Sequence, residues 1–571
     1  MYLGDVEVWR TSTAEPTSPP GIRWVYLKDM TSYLSLWKQP QKLIFDLGNL
    51  INDKYTGPFN TTLTATFFRA DVATNQAPPS DIIIPITARR SGAATDPVSR
   101  FTLPDDNATN TVGFPRNANR AVFSVSANGQ ASEEFWWSNV LESDAFTFNK
   151  TAGQFPALSP FREVQVYIDG RLAGVQWPYP VIFTGGIVPS LHRPVVGIDV
   201  FDLREQEIDI TPWLPLLCDG APHTFTIQVA GLLDDGKSTA VLTRRVDSNW
   251  VVTGKIFVWL DAAGSVTTGS PPAVSGERPT ISITRVVGRN ASGGNETLDF
   301  TATVARAFSV QGFVKTQNKS AAATWAQSLT YSNHGTVTAR GFNQVNDMAV
   351  RGSDAADGLY RYTADYQFPL RVNTTTSITP QGNLSLWAHM RQGLERHVTG
   401  AAVFPDGLEA WAARKRFDGG SLLRTTHEGI ASFYQSGDGK TATGSGAQGQ
   451  IFRFGGLSNQ GILGEEPAIE VYFRNVTAAN DTLITNRETL AGASTEYAGP
   501  RPAAIDDGAG AGAVGPLSRG LFAQAPTLGG HGTGPRAFMG RGGPDPEVAM
   551  QELPDAPPGP GEVAEQALLE G

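Results

Sequence analysis

Cysteine is almost missing from this 571-residue chain: Cys218 stands alone, so no disulfide can form within it. A lone cysteine of this kind reads as a small buried apolar group. Long apolar runs are missing too, because charged residues recur throughout, and no membrane span is expected. Basic residues are outnumbered, 45 Lys and Arg against 55 Asp and Glu, for a net charge of −10. Phosphate backbones are held by clustered Lys and Arg, so nucleic acid is not expected as a partner. The seven histidines form no H-E-x-x-H pair, and no metal site is expected. One phosphate-loop-like match, G-x-G-x-x-G at Gly444, Gly446 and Gly449, is followed by strand-like residues and not by a helix that could face a pyrophosphate. That match reads as accidental, and no cofactor is implied.

What the chain does contain is strand after strand. Runs rich in Val, Ile, Thr, Tyr, Phe and Trp, punctuated by Gly, Pro, Asn and Asp, recur from one end to the other, as at 22–26, 43–45, 62–69, 82–86, 121–126, 164–168, 223–229 and 251–260. Only 30–37 and 409–416 show helical spacing, and each is long enough for two turns. The fold class is therefore all-β. A polar stretch at 90–119 separates two strand-rich blocks, read as side-by-side antiparallel sandwiches of jelly-roll type over 1–95 and 118–265. A Gly/Ser/Pro linker at 262–279 leads to a further β-rich region, 280–486, expected to pack against the first two. From 490 to 571 the composition turns to Gly, Ala and Pro, too poor in large apolar groups to offset the entropy of ordering, so a disordered tail is expected.

The first residues, Tyr2 to Trp9, alternate apolar and polar side chains as a half-buried strand does, and a lone strand cannot bury its face. No signal-like segment precedes it. The expectation is that Met1 is an internal start, with a neighbouring strand and a leader upstream. Ten Asn-X-Ser/Thr sequons, at Asn60, Asn107, Asn149, Asn290, Asn295, Asn318, Asn373, Asn383, Asn475 and Asn480, exceed a chance expectation of roughly three or four and point to the secretory route.

Two places put carboxylates beside aromatics. In SANGQASEEFWWSN (126–139) a small-residue turn delivers Glu133 and Glu134 directly before Phe135, Trp136 and Trp137. Trp faces bind sugar rings, and a nearby carboxyl can exchange protons with a glycosidic or amide nitrogen. The other reading, that the aromatics are core and the acids solvated, stays open on local pattern alone. Around Trp9, the run Glu7, Arg10, Glu15 places an Arg among acids, where it could fork onto a carboxylate or an amide oxygen, or simply pair strands.

Together these segments resemble the peptide:N-glycanases of the plant and fungal acidic type, the peptide-N4-(N-acetyl-β-glucosaminyl)asparagine amidase A family. The resemblance rests on YLGDVEVWRTSTAEPT (2–17), GIRWVYLKDMTSYLSLW (21–37), EFWWSN (134–139), PFREVQVYIDGRLAGVQWPYPVIFTGG (160–186) and the strand at His223 to Phe225, and it runs to about 480. It implies metal-independent hydrolysis of the amide between N-glycan and asparagine, with glycopeptides or glycoproteins as substrates and asparagine left as aspartate. Carried onto this chain, it makes Glu134 a catalytic carboxylate, Arg10 and Glu15 further catalytic or orienting groups, and Trp9, Glu133, Trp136, Trp137 and Trp177 the substrate-binding set. Two departures stand out. Glu133 and Trp137 replace the usual Asp and Tyr of the acidic-aromatic motif, and the family's Phe-Asp-Arg segment, whose Asp leads as the principal acid, would lie before Met1. The competing reading is a glycan-binding or cell-wall sandwich protein of the same family without turnover.

Overall fold

The computed structural model describes residues 1–13, 26, 28–47, 51–53, 59–67, 77–87, 98–183, 185–192, 195, 198–404, 417, 419–457, 463–464, 466–480, 482–490 and 493–502. The chain is all-β, and its strands form antiparallel sheets. Two five-stranded sheets face each other. In the first, Ala118–Gln130 and Asn249–Leu260 lie side by side, flanked by Gln206–Asp209 and Ile82–Pro85, with Phe101–Leu103 also paired to Asn249–Leu260. The second places Pro222–Asp234 and Glu163–Ile168 at its centre, with Ala240–Thr243, Arg171–Gln176 and Thr109–Gly113 around them.

Period-two alternation sets which side chains meet between these sheets. Phe123 of one stacks on Phe225 of the other with ring centroids 6.2 Å apart, and Val164, Val166 and Ile168 are fully buried. Residues 82–260 thus supply both sheets of one sandwich. The strand expected to close a first sandwich, Ile82–Pro85, instead pairs with Asn249–Leu260, which local patterning could not reveal.

Ahead of this sandwich, Tyr2 to Trp9 is not one strand. Gly4, at φ +60, turns the chain so that Tyr2–Leu3 pairs with Val6–Glu7, and Leu43–Ile44 adds a third strand. Leu3, Val6 and Val8, together with Tyr33 and Leu36 of the 3-10 turn Thr31–Lys38, cover the outer face of the first sheet at Val122, Phe257 and Trp259. The helical expectation at 30–37 falls on that turn; the one at 409–416 lies outside the described residues, as do 22–25 of the expected strand at 22–26. Residues 62–67 form no strand.

The C-terminal region is one antiparallel sheet of long strands, running in chain order from Asn295–Lys315 through Asn343–Asp357, Tyr362–Ile378 and Leu384–Gly400 to Ala493–Pro502. Strand order thus extends past 490 to Pro502, where a disordered tail was expected to have begun; 503–571 lie outside the described residues. The expected linker also pairs, since Thr268–Gly269 and Ala273–Ser275 join the edge of this sheet. Along Asn295–Lys315 buried and exposed residues alternate, and the buried face packs on the sandwich. Arg306 forks onto Glu163 at 2.7 and 2.9 Å in a fully buried pair that also takes the Trp177 indole N–H at 2.9 Å. The glycine motif at 444–449 lies wholly inside the strand Ala442–Gly456. Cys218 is buried, its Sγ 3.3 Å from the Pro115 carbonyl, and burial pushes its thiol up to about 12.

Candidate active site

Where Ala118–Gln130 ends, the chain doubles back into the 3-10 turn Ala131–Ser138. Gly129 permits it: a Cβ there would sit 2.2 Å from the Glu133 carbonyl oxygen. Ala131 takes a positive φ of 54°, and Phe135 leaves helical geometry, so consecutive residues of the turn point to quite different surroundings.

Glu133 points inward and has no exposed surface. Its Oε2 accepts from Arg162 Nε at 2.7 Å and Trp250 Nε1 at 2.6 Å, and its Oε1 from Arg162 Nη2 at 2.6 Å and the Asp247 backbone N–H at 2.8 Å. Burial alone would raise its pKa, but the Arg162 hydrogen bonds and charge, with those of Trp250 and Asp247, outweigh it and hold the carboxyl below the usual glutamate range. A carboxylate so committed holds the turn together and leaves little to offer a ligand.

Glu134 is partly exposed and lines a cleft of about 450 Å³, whose wall also includes the buried Glu133. Partial burial raises the Glu134 pKa, opposed only by a hydrogen bond from the Ala131 backbone. The adjacent glutamates are therefore pushed in opposite directions, Glu133 down by its donors and Glu134 up by partial burial.

Arg10 and Trp9 line the same cleft. Arg10 forks onto Glu7, 2.7 Å for both contacts, and its third nitrogen donates to the Val251 carbonyl at 2.9 Å. Thr253 Oγ1 also donates to Glu7 at 2.7 Å. The ion-pair reading of this motif is the one realised, with Glu7, absent from the expected site, as its acid. Glu15 lies outside the described residues.

The tryptophans separate sharply. Trp9 is partly exposed in the cleft, and Trp136 reaches the cleft wall though only 5% exposed. Trp137 and Trp177 are core residues at 3% and 1% exposure; Trp177 packs edge-on against Phe161 and Tyr331. Neither presents a ring face to a sugar, which corrects their expected platform role. The local signal could not distinguish them, because a buried and an exposed Trp beside acids look alike in sequence.

The C-terminal sheet does more than pack. Asp354, Tyr362, Tyr366 and Arg396 form part of the cleft lining, and burial pushes the Asp354 carboxyl up to about 7. Nothing in sequence flagged Asp354, one acid in an alternating strand. Among the described residues no three His, Cys, Asp or Glu groups come together as metal ligands would. No described helix is long and apolar enough to cross a membrane.

The fold and cleft define an all-β protein with a carboxylate poised among aromatic and polar groups. Comparison with known proteins narrows this. The family model described as Peptide N-acetyl-beta-D-glucosaminyl asparaginase amidase A matches residues 1–274, and that of the PNGase_A C-terminal domain matches 299–370. The Peptide-N4-(N-acetyl-beta-glucosaminyl)asparagine amidase A of Prunus dulcis is 32% identical over 403 residues, 67% of this chain and 66% of that protein. The chain belongs to this amidase A family. No solved structure matches it.

Proposed function

We propose that the protein is a glycopeptide amidase that hydrolyses the bond between the asparagine side chain and the first N-acetylglucosamine of an N-glycan. The observation that carries the reading is the opposed pair of neighbouring glutamates, Glu133 locked into the fold and Glu134 open to the cleft with a raised pKa. In the reaction, water adds to the side-chain carbonyl carbon, the C–N bond breaks, and the nitrogen departs on the sugar as a glycosylamine while aspartate remains. A departing amide nitrogen must gain a proton before it can leave. Glu134, holding its proton to higher pH than an ordinary glutamate, is the donor, and in its ionised form it can take a proton back from water.

Binding is assigned to the cleft around Trp9, with the Glu7 and Arg10 pair fixing that wall. The chemistry asks nothing of a metal in this account: proton transfer is the work of a carboxyl. The sequons support a secretory route, because among the ten asparagines Asn60, Asn107, Asn149, Asn290, Asn318 and Asn480 are exposed and Asn295, Asn373, Asn383 and Asn475 partly so.

The test is cleavage of an N-glycosylated peptide in heavy-oxygen water. An amidase places one heavy oxygen in the new aspartate; the released glycosylamine hydrolyses in the same water to a labelled reducing sugar, so the peptide carries the diagnostic label. Free glycan beside a peptide whose asparagine is intact and unlabelled, or a peptide that retains its first N-acetylglucosamine, would identify a glycosidase and overturn the reading.

A further inference from the structure

Several aromatic side chains line the cleft, and among those of the described residues Phe45 is the most open to solvent, at 37%. It follows directly on Leu43–Ile44, whose pairing with Tyr2 and Leu3 fixes the backbone that carries it. An apolar ring held open beside polar groups gains by being covered. Its neighbour is Trp9, ring centroids 6.2 Å apart and tilted by 42°. Trp9 is braced in turn: it lies on Tyr26 at 5.5 Å with planes only 13° apart. The Tyr26 hydroxyl bonds to Asp202, and Asp202 takes the Lys28 ammonium at 2.6 Å. A chain of contacts running from a salt bridge through a phenol to two further rings holds this surface in one shape before any ligand arrives, which lowers the entropy cost of binding.

We propose that Phe45 and Trp9, braced by Tyr26 and Asp202, form a stacking subsite for a pyranose ring of the glycan. The proposal rests on the amidase reading and deepens it by saying which part of the substrate this wall takes. A pyranose offers an apolar C–H face to an aromatic ring and a rim of hydroxyls to polar neighbours. Both are provided here, since the exposed Asp46 and Arg100 line the cleft along with Phe45. An apolar peptide side chain would cover the ring but would not use those polar groups.

Phe45→Ala tests this with small risk to folding, because the side chain is exposed. Calorimetric titration with N,N′-diacetylchitobiose should show binding weakened by about tenfold in Phe45→Ala and restored in Phe45→Trp. In glycopeptide cleavage the same variant should raise KM by a similar factor while kcat stays within about threefold. Unchanged chitobiose affinity in Phe45→Ala overturns the subsite, as does an unglycosylated peptide whose binding falls with the substitution while that of chitobiose does not. The two readings fail separately: loss of chitobiose binding with no cleavage in the unsubstituted protein strikes the amidase and spares the subsite, whereas cleavage indifferent to Phe45 does the reverse.

Discussion

The Arg162 guanidinium forks onto the Glu133 carboxylate at 2.6 and 2.7 Å, and neither side chain has any exposed surface. Arg162 spends its remaining nitrogen on the Leu158, Ser159 and Phe161 carbonyls, at 3.0, 2.9 and 2.7 Å. This pair ties the 3-10 turn bearing Glu134 to the loop before Glu163–Ile168. Breaking a buried pair by removing one partner typically costs about 3–5 kcal/mol, because the survivor keeps its desolvation cost and loses its compensation.

Arg162→Met is therefore expected to lower the unfolding free energy by about 3–5 kcal/mol and, where the protein still folds, to lower kcat more than it raises KM, as the turn carrying Glu134 loosens. Denaturant unfolding and steady-state kinetics check the two parts. A variant with near-normal stability would show that the pair contributes less than its geometry implies.

Glu134 should set the alkaline limb of the pH profile. Its raised pKa keeps the acid form populated above the ordinary glutamate range, so a proton donor loses activity only as pH rises through that raised value. Rate against pH for kcat/KM should fall on the alkaline side with one ionisation, and the residual activity of Glu134→Gln should lack that limb.

Trp177 and Trp9 should part company. Trp177→Ala removes a fully buried ring that also donates to Glu163, and a loss of about 3–5 kcal/mol in stability is expected. Trp9→Ala, at a partly exposed ring, should cost far less stability and should chiefly raise KM. Thermal unfolding beside kinetics on both variants separates core from cleft.

Much of this was legible in the chain and some of it was not, for physical reasons. Runs of β-branched and aromatic residues between turn residues identified the strands around 121–126, 164–168, 223–229 and 251–260; 223–229 buries one face, whereas 121–126 and 251–260 are buried almost throughout. Partnership was invisible: nothing in residues 82–86 says that they pair with a strand some 170 residues on, since period two marks a face and not a neighbour. Tyr2 to Trp9 looked like one strand because two very short strands around a Gly4 turn preserve the alternation. Local pattern did not separate Glu133 from Glu134; the family resemblance singled out Glu134, and the tertiary placement of Arg162 and Trp250 supplies the physical difference. The same limit hid Asp354, whose surroundings come from three neighbouring strands.

Asp354 supplies a stability test. Burial lifts its folded-state pKa from 3.8 to about 7, opposed by the Gln327 hydrogen bond, the Arg396 charge and Tyr366, with Asp365 adding a small push upward. A raised acid means that the folded chain keeps a proton which the unfolded chain has already released. Stability contributed by this group is thus highest below about pH 4, declines between about pH 4 and 7, and is level above that. At about 1.4 kcal/mol per pH unit the decline is on the order of 4 kcal/mol. Unfolding free energy measured across this window should fall less steeply in Asp354→Asn, which cannot ionise, than in the unsubstituted protein; equal slopes would remove Asp354 from the account.

The most direct measurement of the central claim is to incubate the protein, and separately its Glu134→Gln form, with a denatured N-glycopeptide and weigh the products by mass spectrometry. The account predicts free glycan together with aspartate in place of asparagine from the unsubstituted protein, and neither from Glu134→Gln. Equal conversion by both proteins, or binding of the glycopeptide with no conversion by either, would contradict it.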